Sequence, residues 1–348
     1  MADLDGPSIL PPLLALVFVG WLPMLLLAAL EAIATGAWPG VALAFETHAR
    51  YLVAGPLLLV GNSVVHERIL RSIEELIGGG FIRQHETERY RSFVMRFHRL
   101  GKSPTSTALC FAIALATAAA NPVEAGTDPA SLWEGGVGLT LFRFVLLLVV
   151  WRWAIWASFL GRVSRLDLAL VPTHPDLGGG LGFLTQPSEA FSVIVLGVGS
   201  LVAARWSTDV FRGGVPFLRF KTELTTFAAL MTLLGILPLL SFTVRLFRLR
   251  LVALREYGRF ARDYCARFEA KWIRRPAGEE PPDPLGTPDL QSLSDLANSF
   301  GVVVRAKPFL VTPRLAATLA VAAVIPMIPL FMTVVPLEAV VPKLLRLL

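Results

Sequence analysis

Charge is scarce in this sequence. Asp, Glu, Lys and Arg make up 17% of it while 54% is apolar, against about 25% charged and 45–50% apolar in an ordinary soluble domain. Cysteine is scarcer still: Cys110 and Cys265 are the only two. With no CxxC and no partner at ligand spacing, they exclude a disulfide framework and a zinc site built on thiolates. The apolar runs carry no HExxH, GxSxG or paired-aspartate motif, and no Gly-Lys-Ser/Thr phosphate loop occurs. An intramembrane enzyme, a bound metal and a cofactor therefore have no motif to rest on. A repeat strong enough for an inverted-repeat transporter is also missing. The opening "MADLDGPS" has acids where a secretory signal has bases, so the first apolar run is expected to be retained.

What the sequence has in abundance is apolar length. Its mean hydropathy is +0.62, and runs of about 20 apolar residues, the span of a bilayer, occur near 10–34, 49–67, 104–121, 137–160, 189–206, 224–244 and 314–336. The expected fold class is all-α: a polytopic transmembrane helical bundle of about seven spans, forming a single integral membrane domain over 1–348 with a small cytoplasmic helical layer.

The net charge of +6 reports topology. Basic residues accumulate in cytoplasmic loops, and they cluster here at 68–102 and 245–275. The acidic segment "NPVEAGTDPASLWEGG" lies between the third and fourth runs without Lys or Arg. An alternating thread then puts the N-terminus and residues 161–188 in the cytoplasm. Arg212, Arg219 and Lys221, and Lys343 and Arg346 at the end, run against that thread. Prolines 326, 329 and 336 interrupt the last run, and the tail after them reads as an interfacial helix.

Helical periodicity continues outside the membrane. Phe247, Leu251, Leu254, Tyr257, Ala261, Tyr264, Phe268 and Trp272 recur at steps of three or four, and Tyr90, Val94, Phe97 and Leu100 form a second stripe. The two stripes are candidates to pack on each other within cytoplasmic segments 68–102 and 245–312. Anionic lipid headgroups are the first partner expected for the surrounding arginines, at about 1 kcal/mol each. A cytoplasmic protein or a second copy of the chain comes next; nucleic acid is not expected, since no stacking module is present. Residues 276–290 read as an extended Pro-rich acidic connection, followed by a helix that Asp289 caps.

Ionisable groups inside spans are candidate functional groups by default. Asn62, His66 and Glu67 fall toward the inner end of the second run, Arg143 and Arg152 within the fourth, and Glu31 toward the outer end of the first. Two readings stand: pairs that lock helices, Glu31 with Arg143 and Glu67 with Arg152 or Arg162, and a path for ions or protons. The loop "THPDLGGGLGFL" adds His174 and Asp176, then Gly178, Gly179, Gly180 and Gly182. His-Pro-Asp is the tripeptide by which J-domains engage their chaperone, but spans flank it here in place of soluble helices. The glycines also suit an anion cradle, and two side chains are too few for a metal. The leading reading is a glycine-permitted re-entrant turn in which His174 or Asp176 caps a helix or lines a pathway.

"VPTHPDLGGGLGFL", "DLQSLSDLANSF" and "IPMIPLFMTVVPLEAVVPKLL" together resemble an uncharacterised family of bacterial multi-pass membrane proteins. The resemblance implies a bacterial inner membrane and brings no activity. The function expected is a channel or transporter-like protein with a polar route at the cytoplasmic side, and the alternative is a membrane scaffold that uses its basic helices.

Overall fold

The computed structural model describes residues 10–120, 127–274 and 287–333. The features read at 1–9, residues 121–126 of the acidic stretch, Arg275, most of the Pro-rich connection and the tail with Pro336, Lys343 and Arg346 lie outside the described residues.

The fold is all-helical. We number the helices α1 (Leu10–Thr35), α2 (45–78), α3 (Thr87–Gly101), α4 (Pro104–Ala119), α5 (Pro129–Val163), α6 (Leu181–Phe211), α7 (Phe217–Trp272), α8 (Pro288–Arg305) and α9 (Pro313–Phe331). Of these, α1, α5, α6, α7 and α9 are long and apolar enough to cross a membrane. The two other expected spans differ for identifiable reasons. In α4 the apolar helix is only 16 residues long, and in α2 the apolar stretch is broken by Arg50, Asn62, His66, Glu67 and Arg68.

At the centre, α2, α5, α6 and α9 pack around Trp156, Leu58, Leu160 and Val195. The approach of α2 to α6 is set by small residues: a Cβ on Gly61 would lie 2.8 Å from Ile194 Cγ1, and one on Gly197 would lie 3.1 Å from Leu57. Apolar collapse is not available to drive helices together in lipid, so close backbone contact of this kind does the work.

α7 is one rod through Pro238, where the helix tightens to 3₁₀ over Leu237–Phe242. Its stripe and that of α3 go to different partners. Tyr90 and Phe97 meet Phe159 of α5 edge-on, and Tyr90 donates to Ile73 O of α2 at 2.7 Å. The stripe of α7 instead faces α8, where Tyr264 donates to Asp289 O at 3.1 Å and Trp272 Nε1 to Asp289 Oδ2 at 3.0 Å. The two stripes do not pack on each other because α3 lies along α5.

The chain from α5 to α6 is pinned on several sides. Ile82 and Leu168 form an isolated antiparallel bridge, and Ala169 N–H donates to Phe81 O at 2.9 Å. Asp167 pairs with Arg83 at 3.1 Å and Arg245 at 3.0 Å. Glu86, buried, accepts the backbone N–H of Asp167 at 3.1 Å and the guanidinium of Arg89.

Candidate functional site

Residues of α5 at 141, 144, 145, 148, 149 and 152 recur at steps of three and four, so they share one helix face. That face, together with Leu59, Asn62 and Ser63 of α2 and Pro12, Ala15 and Leu16 of α1, lines a partly open cavity of about 210 Å³. Its walls are apolar except at one end, where Asn62 and Ser63 stand on one side and Arg152 on the other. Nη1 of Arg152 is buried and has no hydrogen-bond partner among the described residues. His66, one turn beyond Asn62, is within electrostatic range of Arg152, His98 and Lys102. Arg152 alone gives the lining at this end its positive charge among the described residues. Grooves of about 460 and 440 Å³ lie between α6 and α9 and between α2 and α6, but neither holds a buried polar atom left without a partner among the described residues.

The opposite end of the same three helices holds an ionic cluster. Arg50, buried on α2, reaches Glu46 at 2.9 Å and is in contact with Glu134, buried on α5. Tyr51 donates to Glu134 at 3.4 Å, Arg205 stands 3.5 Å from Glu46, and Arg50 lies over the Phe142 ring. Each of the three helices is π-helical here, over Ala15–Trp21, Arg50–Ala54 and Glu134–Gly138. Two of these turns precede prolines, Pro23 and Pro56, which cannot donate to the carbonyl four residues back. The carbonyl that Pro23 leaves open, on Val19, accepts Trp133 Nε1 at 2.9 Å. Gly20 and Gly138 lie against the Tyr51 ring and hydroxyl; a Cβ on Gly138 would collide with the hydroxyl, and one on Gly20 would press on the ring at 3.0 Å. π turns of this kind are frequent at functional sites.

Several singled-out residues sit elsewhere. Glu67 is exposed and pairs with Arg71, one turn along its own helix, rather than with Arg152 or Arg162. It lies about 140° around α2 from Asn62, on a different face. Glu31 and Arg143 do not pair either: each keeps a buried atom without a partner among the described residues.

His174 and Asp176 belong to their own loop. The Asp176 carboxylate accepts backbone N–H groups from Gly178 at 2.8 Å, Gly180 at 3.1 Å and Gly182 at 2.8 Å. His174 Nδ1 stands 2.8 Å from it. Burial works against the charge, but the three backbone donors, with His174 beside them, outweigh it and hold the carboxyl below the ordinary aspartate range. The glycine cradle thus holds an anion from within the chain. Gly179 and Gly180 have φ of +70° and +96°, the left-handed region that favours glycine. Gly178 and Gly179 pack under Leu310 and Leu249, while Lys307 N–H donates to Leu177 O at 2.8 Å. Among the described residues no group of three His, Cys, Asp or Glu side chains is placed to hold a metal.

The sequence reading missed Glu46, Arg50, Tyr51 and Glu134. Glu46 and Arg50 sit at i and i+4, the helical ion-pair spacing, which was a usable signal; Glu134 was hidden among acids read as topology. Compared with models of protein families, with curated proteins and with solved structures, the chain matches none.

Proposed function

We propose that this chain is a multi-pass protein of a bacterial inner membrane, with its N-terminus in the cytoplasm, that carries a small anionic solute. In this reading α2 and α4 complete about seven crossings as shorter or more polar spans. α3, the outer part of α7, and α8 form a cytoplasmic layer whose arginines meet anionic lipid headgroups. The observation that carries the reading is the cavity between α1, α2 and α5, with the partnerless guanidinium nitrogen of Arg152 at its polar end. A buried cation without a counter-charge costs several kcal/mol, and an anionic occupant removes that cost. The Arg50, Glu46 and Glu134 cluster closes the other end of the same helices, and its π turns supply backbone able to shift register.

The scaffold alternative depends on a free apolar stripe along α7. Phe247 and Leu251 are exposed, but Tyr264 and Trp272 are engaged by α8, so the stripe is not continuously free, which supports transport over the scaffold.

The test is flux through purified protein in liposomes. Anion gradients should drive flux in the wild type and in Glu67→Gln, whose side chain is on the surface, and flux should fall at least about tenfold in Arg152→Gln, the equivalent of one charge-assisted contact. Absence of flux under any gradient would overturn the reading.

A further inference from the structure

The cavity also constrains what the anion is. Only one end is polar; from Arg152 the space runs along Val149, Leu148 and Val145 of α5 to Leu16 of α1 and Leu59 of α2. A hydrated inorganic ion would use the polar end and leave the rest as void against apolar side chains, which a close-packed interior disfavours. A whole two-chain lipid does not fit inside: 210 Å³ is below the roughly 300–1,000 Å³ of drug-sized pockets and equals about seven water volumes. A methylene takes up about as much room as a water, so the space suits one short alkyl chain.

We infer that the cavity between α1, α2 and α5 binds a single-chain amphiphilic acid, of the size of octanoate. Its carboxylate meets Arg152, and its tail lies along Leu148, Val145 and Leu59. The guanidinium offers Nη1, which has no partner among the described residues, and the Asn62 amide and Ser63 hydroxyl stand on the facing helix. Among the described residues no carboxylate lines the cavity to compete for that charge. Burial of the tail adds to affinity with each methylene removed from water. This proposal rests on the transport reading for what the occupant is for, but not for whether it binds.

The experiment is equilibrium binding of radiolabelled octanoate to purified protein in nanodiscs of zwitterionic lipid. Octanoate should bind saturably, while octanol, octylammonium and acetate at the same concentration should not displace it. Arg152→Gln should weaken binding at least about tenfold, as loss of a charge-assisted hydrogen bond requires, and Arg152→Lys should keep most of it. Leu148→Phe, which fills the cavity while leaving the charge, should weaken octanoate to a similar degree. Thermal unfolding should show Arg152→Gln folded and no less stable than wild type, since it removes a buried charge without a partner.

The proposal is overturned if octanol competes as well as octanoate, if Arg152→Gln binds like wild type, or if no saturable binding occurs. Displacement by anionic phospholipid in the nanodisc would assign the cavity to a lipid headgroup and overturn it too. The two readings separate cleanly: octanoate binding without flux removes transport and leaves the site, whereas Arg152-dependent flux of acetate without octanoate binding removes the ligand class and leaves transport.

Discussion

Asp176 accepts the backbone N–H of Gly182 across 2.8 Å and six residues of chain. Its own carboxylate thereby fills the glycine concavity that an external phosphate would otherwise occupy. The loop that most resembles a ligand site in the sequence is a closed structural joint between α5 and α6.

Asp176→Asn should loosen that joint. An amide offers one acceptor oxygen and no charge to three N–H donors, and hydrogen bonds to a charged group contribute about 1.5–3 kcal/mol. Acid should act in the same direction. The carboxyl is depressed in the folded state, so its stabilising contribution is complete above the unfolded aspartate value and is lost as pH falls through the folded one. Protection against amide exchange at Gly178, Gly180 and Gly182, relative to the intrinsic rate at each pH, should fall at low pH in the wild type and at all pH values in the variant.

Glu86 offers a parallel test in the turn before α3. The Asp167 backbone N–H, more than any other neighbour, holds its carboxyl below the usual glutamate range, with Arg89 assisting against the effect of burial. The sign is again that of a depressed acid: stability is present above the unfolded value and lost as pH falls through the folded one. Glu86→Gln should raise exchange at Asp167 and flatten this acid dependence.

Gly61→Val should separate α2 from α6. The added side chain meets Ile194 Cγ1 at 2.8 Å and its backbone nitrogen at 3.1 Å, and the backbone nitrogen is not free to move aside. Overpacking of this order costs about 1–3 kcal/mol, readable as a lower thermal midpoint in detergent.

The buried cluster predicts an order of severity. Arg50→Met leaves two carboxylates, Glu46 and Glu134, facing each other in a low-dielectric site and should cost about 3–5 kcal/mol. Glu134→Leu leaves Arg50 still paired with Glu46 at 2.9 Å and should cost less. Equal losses in thermal stability would mean that Arg50 does not serve both acids.

Cys265 reports orientation. It is exposed on the outer part of α7 while Cys110 is buried. A membrane-impermeant maleimide should label wild type in inside-out vesicles and not in right-side-out ones. Cys265→Ser should abolish that labelling; the opposite pattern would reverse the proposed topology.

The helical class and the membrane character were legible because they follow from composition and from run length, which need no knowledge of neighbours. So were Asn62 and Arg152, since a polar group in an apolar run stands out wherever it points. Face was the weaker inference. Glu67 lies only five residues from Asn62 and reads as part of the same group, yet it points to the surface and Arg71. Arg50 and Glu134, 84 residues apart, had no local sign of belonging together.

By itself the sequence determined that apolar helices would form, where prolines would break their ladders, and that a glycine run would turn between α5 and α6. Only the tertiary structure decided that Asp176 fills its own cradle, that the stripe of α7 meets α8 rather than α3, and that Arg152 faces a cavity with no acid beside it among the described residues. The physical reason is one of range. Backbone hydrogen bonding and hydropathy act over a few residues of chain, whereas the partner of a buried charge is chosen by which helix faces happen to meet.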